Sequence, residues 1–135
     1  DGTAHGKLLG IWHCHAAPGP GGGLGGWRLC GAGAGAGIAY LKGAEVDGIS
    51  NTVVNALANT GGIVCDGAKA SCAAKIASAV EAGILGYEMY KRGQQFYAGD
   101  GIVAKGVENT IANVGKLAKD GMFETNREII RIMTQ

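Results

Sequence analysis

Between Cys30 and Tyr40 the chain reads CGAGAGAGIAY, and at seven consecutive positions, 31–37, no side chain is larger than a methyl group. No other feature restricts the fold as much. Alternation of Gly with Ala suits a silk-like strand, but Ile38, Tyr40 and Leu41 do not continue a half-buried alternation, so the run reads as a helix with a small-residue face. Each interior glycine makes a helix about 1 kcal/mol less stable than alanine would. Gly33, Gly35 and Gly37 are therefore expected where something approaches the backbone closely, and the missing side chains beside Cys30 leave room for a bulky group.

The rest of the chain divides into an irregular front and a regular back. Of 135 residues 26 are glycine, against an average usage of roughly 7%, and they are densest from Gly19 to Gly37. Residues 1–28 show neither helical nor strand period, and Pro18 and Pro20 break either element, so this Gly-rich segment reads as irregular. Further on, Val46, Ile49, Val53 and Leu57 mark one face of a helix ended by Gly61 and Gly62. Ala73, Ile76, Val80, Ile84 and Tyr87 repeat the spacing in the longest helix, which stops at Gly93. Val107, Ile111, Val114 and Ala118 give another, closed by Asp120 and Gly121, and Thr125 with Glu128 reads as a capping box before Ile129, Ile130 and Met133. No strand signal survives. The expectation is an all-α fold, a helical bundle of about five helices over residues 31–41, 45–60, 68–91, 106–119 and 125–134, in one domain spanning 29–135.

Several function classes fall away. Twelve Lys and Arg against eleven Asp and Glu leave a net charge of +1, which gives no footprint for nucleic acid or an anionic membrane surface. No apolar run reaches the roughly 20 residues of a membrane span, and no signal peptide is recognisable at the front. A cytoplasmic protein acting on a small molecule is expected, with a second copy of the chain as the other partner the reading allows. Four cysteines in such a chain are more often reduced, metal-binding or catalytic than paired in disulfides.

The segment Cys65-Asp66-Gly67-Ala68-Lys69-Ala70-Ser71-Cys72 carries the chemistry. Two cysteines seven apart bracket a turn and the start of the long helix, with Asp66 or Ser71 placed to cap it. Unpaired N–H groups in a first helical turn stabilise thiolate charge, and Lys69 and Lys75 add positive charge. Cys30, 35 residues before Cys65, stands at the mouth of the Gly/Ala helix. Against this, cysteine is among the most buried residue types and often acts as a small hydrophobe. A spacing of seven also matches neither zinc ribbons nor thiol redox pairs. Composition and spacing leave both readings open.

The stretch GGIVCDGAKASCAAKIASAVEAGILG, with CGAGAGAGIAYLKG before it and DGIVAKGVENTIANVGKLAKDGM after it, resembles the C-terminal half of the bacterial L-cysteine desulfidase family, which belongs with the α chain of iron–sulfur L-serine dehydratase. The likeness is colinear over residues 29–134 and centred on the three cysteines. It implies a 4Fe-4S cluster held by Cys30, Cys65 and Cys72, one iron being left without a protein thiolate. It further implies a lyase that converts L-cysteine to sulfide, ammonia and pyruvate, or L-serine to ammonia and pyruvate. Lys69 and Ser71 are then candidates for holding the substrate, Lys75 more simply a solvated lysine, and no residue stands out as the general base.

Residues 1–28 do not share that likeness, and a wrong reading frame or a mispredicted start is the expected cause. His13, Cys14 and His15 point in different directions for zinc, and GPGGGLGG lacks the Gly-Lys-Ser/Thr ending of a phosphate loop. The larger N-terminal half of the family has no counterpart here, so the chain is expected to be a fragment inactive by itself. The rival from a different class is a non-enzymatic helical domain that binds metal or a protein partner through reduced cysteines.

Overall fold

The computed structural model describes the backbone of residues 22–64 and 70–135, and the side chains of 30–64 and 70–135. Five α-helices follow one another among the described residues: α1 (Gly22–Leu41), α2 (Val46–Thr60), α3 (Ala70–Lys91), α4 (Val107–Lys116) and α5 (Phe123–Met133), with a π-helical turn, Leu117–Gly121, between the last two. Neither a strand nor a bridge occurs among these residues. The all-α bundle read from the sequence is the fold.

Helices α1, α2 and α3 each pack against the other two, with α2 most enclosed. The run from Thr52 to Leu57 is buried without interruption. Here Ile49, Val53 and Leu57 supply apolar volume, and full burial of a side chain such as Leu57 contributes roughly 1.5–3 kcal/mol. The buried hydroxyls of Thr52 and Thr60 donate to the carbonyls of Gly48 and Ala56, 2.7 and 2.9 Å away, so neither is left unpaired within the core.

The Gly/Ala run has a clear structural cause. Gly31, Ala32, Gly35, Ala36 and Ala39 form the buried face of α1. A Cβ added at Gly31 would collide with the backbone of Ala79, and one at Gly35 would lie 2.6 Å from the Cα of Gly83. In the other direction, a Cβ on Gly83 would come 2.5 Å from the carbonyl oxygen of Gly31. The expected close approach is thus a second helix backbone, and at this seam it, rather than an inorganic group, fills the space that glycine leaves. Gly37, which the sequence grouped with the costly glycines, has open space around it.

These contacts also set directions. Gly31 lies against Ala79 and Gly35 against Gly83, so α1 and α3 run parallel. Gly48 lies against the ring of Tyr90 and Gly86 against Thr52, so α2 runs antiparallel to α3. Asn55, 1% exposed, fastens the following loop: its amide donates to Gly86 O (3.1 Å) and its Oδ1 accepts the N–H of Phe96 (3.1 Å). Loop residues 102 and 103 then lead into α4, whose Val107, Ile111 and Val114 pack towards α2 as their spacing predicts.

Four local expectations are corrected. Residues 22–28, read as irregular, are helical: once the last proline, Pro20, is passed, each added residue extends an existing ladder of hydrogen bonds. On α3 the stripe Ile76, Val80, Ile84 does not form the buried face. Ile76 and Ile84 are 44% and 43% exposed, while the small residues Ala79, Ala82, Gly83 and Gly86 with Tyr87 face inward, because they alone allow two neighbouring helices so near. Ser71 lies inside α3, one residue past its start, and does not cap it. Thr125 and Glu128 form no capping box, since α5 begins at Phe123 with no side-chain cap, and Glu128 instead accepts a hydrogen bond from Arg131 at 2.7 Å.

Candidate functional site

The cysteine segment enters at the N-terminal end of α3. Residues 65–69, with Cys65 and Lys69, lie outside the described residues, as do His13, Cys14 and His15. Cys72 is the third residue of α3, in the first turn, where backbone N–H groups lack helical acceptors. Seven residues, close to two turns, separate it from Ala79, so both occupy the inward face. Cys72 is half-buried and belongs to a small apolar cluster around Ala79 that also contains Ile63, Val64 and Met122. Val64 is the residue immediately before Cys65. The end of α2 and the start of α3 therefore bring the approach to Cys65 and the side chain of Cys72 to one corner of the bundle.

Cys30 differs. It lies on α1 next to Gly31, level with Ala79, and its side chain is exposed. The parallel register sets it about 10 Å further along the bundle axis than Cys72, at 1.5 Å per residue. Neither Cys30 nor Cys72 is in a disulfide. Among the described residues no three of His, Cys, Asp and Glu converge on a metal position. The donor chemistry nevertheless fits a soft metal group, since thiolate sulfur is the preferred ligand of iron–sulfur clusters.

Ser71, adjacent to Cys72, is exposed, and Lys75, one turn further on, is half-buried. Sequence reasoning missed Met122, Ile63 and Val64. Met122 follows the π-helical turn, which itself packs on α1, and nothing in the sequence signals a five-residue turn of that kind. At the opposite end of α3, Lys91, about 28 Å from Cys72 by helical rise, pairs with Glu88 at 2.7 Å. Lys91 and Lys42 also approach the ring of Tyr87, at 5.2 and 5.8 Å. The hydrogen bond from Lys91 is the main cause holding the Glu88 carboxyl below its ordinary range. This charged end is remote from the cysteines.

An all-helical bundle with a cysteine-bearing corner can now be set beside known proteins. The pattern of the serine dehydratase alpha chain family matches residues 6–131, and the chain belongs to that family. The match takes in residues 6–28, ahead of where the resemblance begins at residue 29. A UPF0597 protein of Desulfitobacterium hafniense is 70% identical over 103 residues, which are 76% of this chain and 24% of that protein. UPF0597 proteins of Lachnoclostridium phytofermentans and Finegoldia magna are 55% and 48% identical, over 76% and 78% of this chain and 24% and 25% of theirs. The chain thus spans about a quarter of the length of these curated relatives. No solved structure matches. No helix among the described residues is long and apolar enough to cross a membrane.

Proposed function

We propose that this chain is the cluster-holding portion of a cytoplasmic iron–sulfur lyase that eliminates sulfide from L-cysteine, or water from L-serine, to leave ammonia and pyruvate. Membership of the serine dehydratase alpha chain family carries the reading. The corner that collects Cys72 and the approach to Cys65 supports it. Cys65 and Cys72 would be the close pair of ligands and Cys30 the third, offered from α1.

When bound, a 4Fe-4S cluster with one iron free of thiolate supplies a Lewis acid towards a carboxylate and a β-hydroxyl or β-thiol. The chain's own residues would then position the amino acid. Ser71 and the N-terminal end of α3 would receive its carboxylate beside Cys72, with Lys69 adding charge. Loss of the α-proton and the β-leaving group gives an enamine, which tautomerises and hydrolyses to pyruvate and ammonia. The apolar packing of Ile63, Val64 and Met122 would restrict water at this corner.

The test is anaerobic reconstitution with iron and sulfide, on this chain and on the Desulfitobacterium relative with this chain grafted over its matching quarter. Iron, acid-labile sulfide and pyruvate release are measured. Cys65→Ser and Cys72→Ser are expected to lose the cluster from both proteins and pyruvate release from the graft, because serine offers a harder, poorly ionised oxygen. Cys30→Ser should lower iron content less, and Cys14→Ser should change nothing. Full iron occupancy and normal pyruvate release in Cys65→Ser would defeat the proposal.

A further inference from the structure

We infer that the outer flank shared by α1 and α3 is a docking strip for an apolar helix belonging to the other three quarters of the relative-length protein. The inference starts from α3, which carries more apolar surface than the bundle covers. On one side of its Ala79–Gly83 line, Ala82 and Gly86 are buried and Gly86 meets α2 at Thr52. On the other side, Ile76, Val80 and Ile84 follow one another at intervals of four and form a continuous ridge. Ile76 and Ile84 are 44% and 43% exposed, and Val80 is half-buried.

Helix α1 mirrors this. Ala32, Ala36 and Ala39 are buried on the side of its Gly31–Gly35 line that joins the α2 core. Ala34 and Ile38, half-buried, fall on the other side, next to the α3 ridge. The two flanks together make an apolar strip without a charged side chain among Ala34, Ile38, Ile76, Val80 and Ile84. A helix apolar on nearly every side is normally enclosed on nearly every side. Parallel neighbours with small residues between them also leave a groove into which a third helix ridge fits.

The relatives say where the cover comes from. They match this chain over only 24–25% of their length, so each carries about three times as much further chain able to fold against this strip. A soluble surface seldom leaves such a strip bare. The inference is independent of the cluster and of the lyase reading.

The experiment compares one double substitution in two settings. Val80→Lys with Ile84→Lys is made in this chain alone and in the Desulfitobacterium relative carrying this chain in place of its matching quarter. In the isolated chain the melting temperature is expected to stay unchanged. In the graft it should fall clearly, with loss of soluble protein. Hydroxyl-radical footprinting of the unsubstituted proteins adds a measurement that does not depend on the variant folding: Ile76, Val80 and Ile84 should be modified in the isolated chain and protected in the graft. Equal labelling in both settings would overturn the inference. So would unfolding of the isolated chain by the double substitution, which would assign the cover to this chain's own residues. Dimerisation of the isolated chain that the substitution abolishes would assign the strip to a second copy instead.

Discussion

The seam between α1 and α3 and the arm formed by α4 and α5 oppose each other in pattern, and at the arm's last helix, α5, in burial as well. The seam is built from Gly and Ala, shows little contrast between its faces, and is where the chain packs most tightly. In the arm, α5 has apolar residues on one side and the pairs Glu124–Arg127 and Glu128–Arg131 on the other, yet buries none of its residues. Contrast between faces reports what a helix could bury, whereas small residues report how near its neighbour comes. Near approach multiplies backbone contacts, each weak and collectively large. Along the α1–α3 seam nearness, rather than side-chain size, defines the packing.

The largest effects should come from breaking the seam. Gly31→Ala places a methyl group inside the backbone of Ala79, and since neither helix can yield as a flexible side chain would, a loss of about 1–3 kcal/mol is expected. Gly37→Ala, two turns away from Gly31 on the same helix, meets open space and should stabilise by roughly 0.5–1 kcal/mol through helix propensity. Ile130→Ser in α5, at a position 54% exposed, should fall within about 0.5 kcal/mol of the original. Urea unfolding of the three variants measures all of this. If Gly31→Ala proved as benign as Gly37→Ala, the parallel α1–α3 contact would be wrong.

The same opposition explains what the sequence disclosed. Helices α2 and α4 were legible because Ile49, Val53, Leu57, Val107, Ile111 and Val114 are large apolar residues at helical spacing that do face the core. The α3 face was misread because periodicity weights Ile76 and Ile84 over Ala79 and Gly83, although backbone proximity favours the latter. At the candidate site, Cys65 and Cys72 stood out through local spacing and family likeness. Met122 did not, since it reaches the Ala79 cluster only through tertiary packing after a π-helical turn. Asn55 left a trace, one amide inside the apolar run TVVNAL, which a buried clamp explains.

That clamp gives the second prediction, because it ties the small-residue core to the loop that starts the arm. Asn55→Ala leaves the Gly86 carbonyl without its side-chain donor and the Phe96 N–H without its acceptor inside the fold. About 1–2 kcal/mol should be lost, below the top of the range for unsatisfied buried groups because the Phe96 contact is only part-buried. Amide exchange at Phe96 should accelerate beyond what the global loss accounts for. Unchanged exchange there, with the stability loss intact, would mean that Asn55 fills space without holding the loop.

The smallest effect belongs to the charged end of α3, where Glu88 and Lys91 sit on the surface near Lys42 and Tyr87. The hydrogen bond from Lys91 lowers the Glu88 carboxyl most, with the charges of Lys91, Lys42 and Arg92 acting in the same direction and partial desolvation opposing them. A carboxyl that titrates lower in the folded chain than in the unfolded one stabilises the fold while ionised. Its contribution is complete above the unfolded carboxylate range and disappears as the pH falls through the lowered folded value. Melting temperatures taken from neutral pH down through that range should therefore decline slightly more steeply in the original chain than in Glu88→Gln. Solvent and salt screen an exposed pair, so the two curves should draw together when sodium chloride is added. Coincident curves at low salt would show that this end of α3 contributes nothing measurable and that the bundle rests on its small-residue seam.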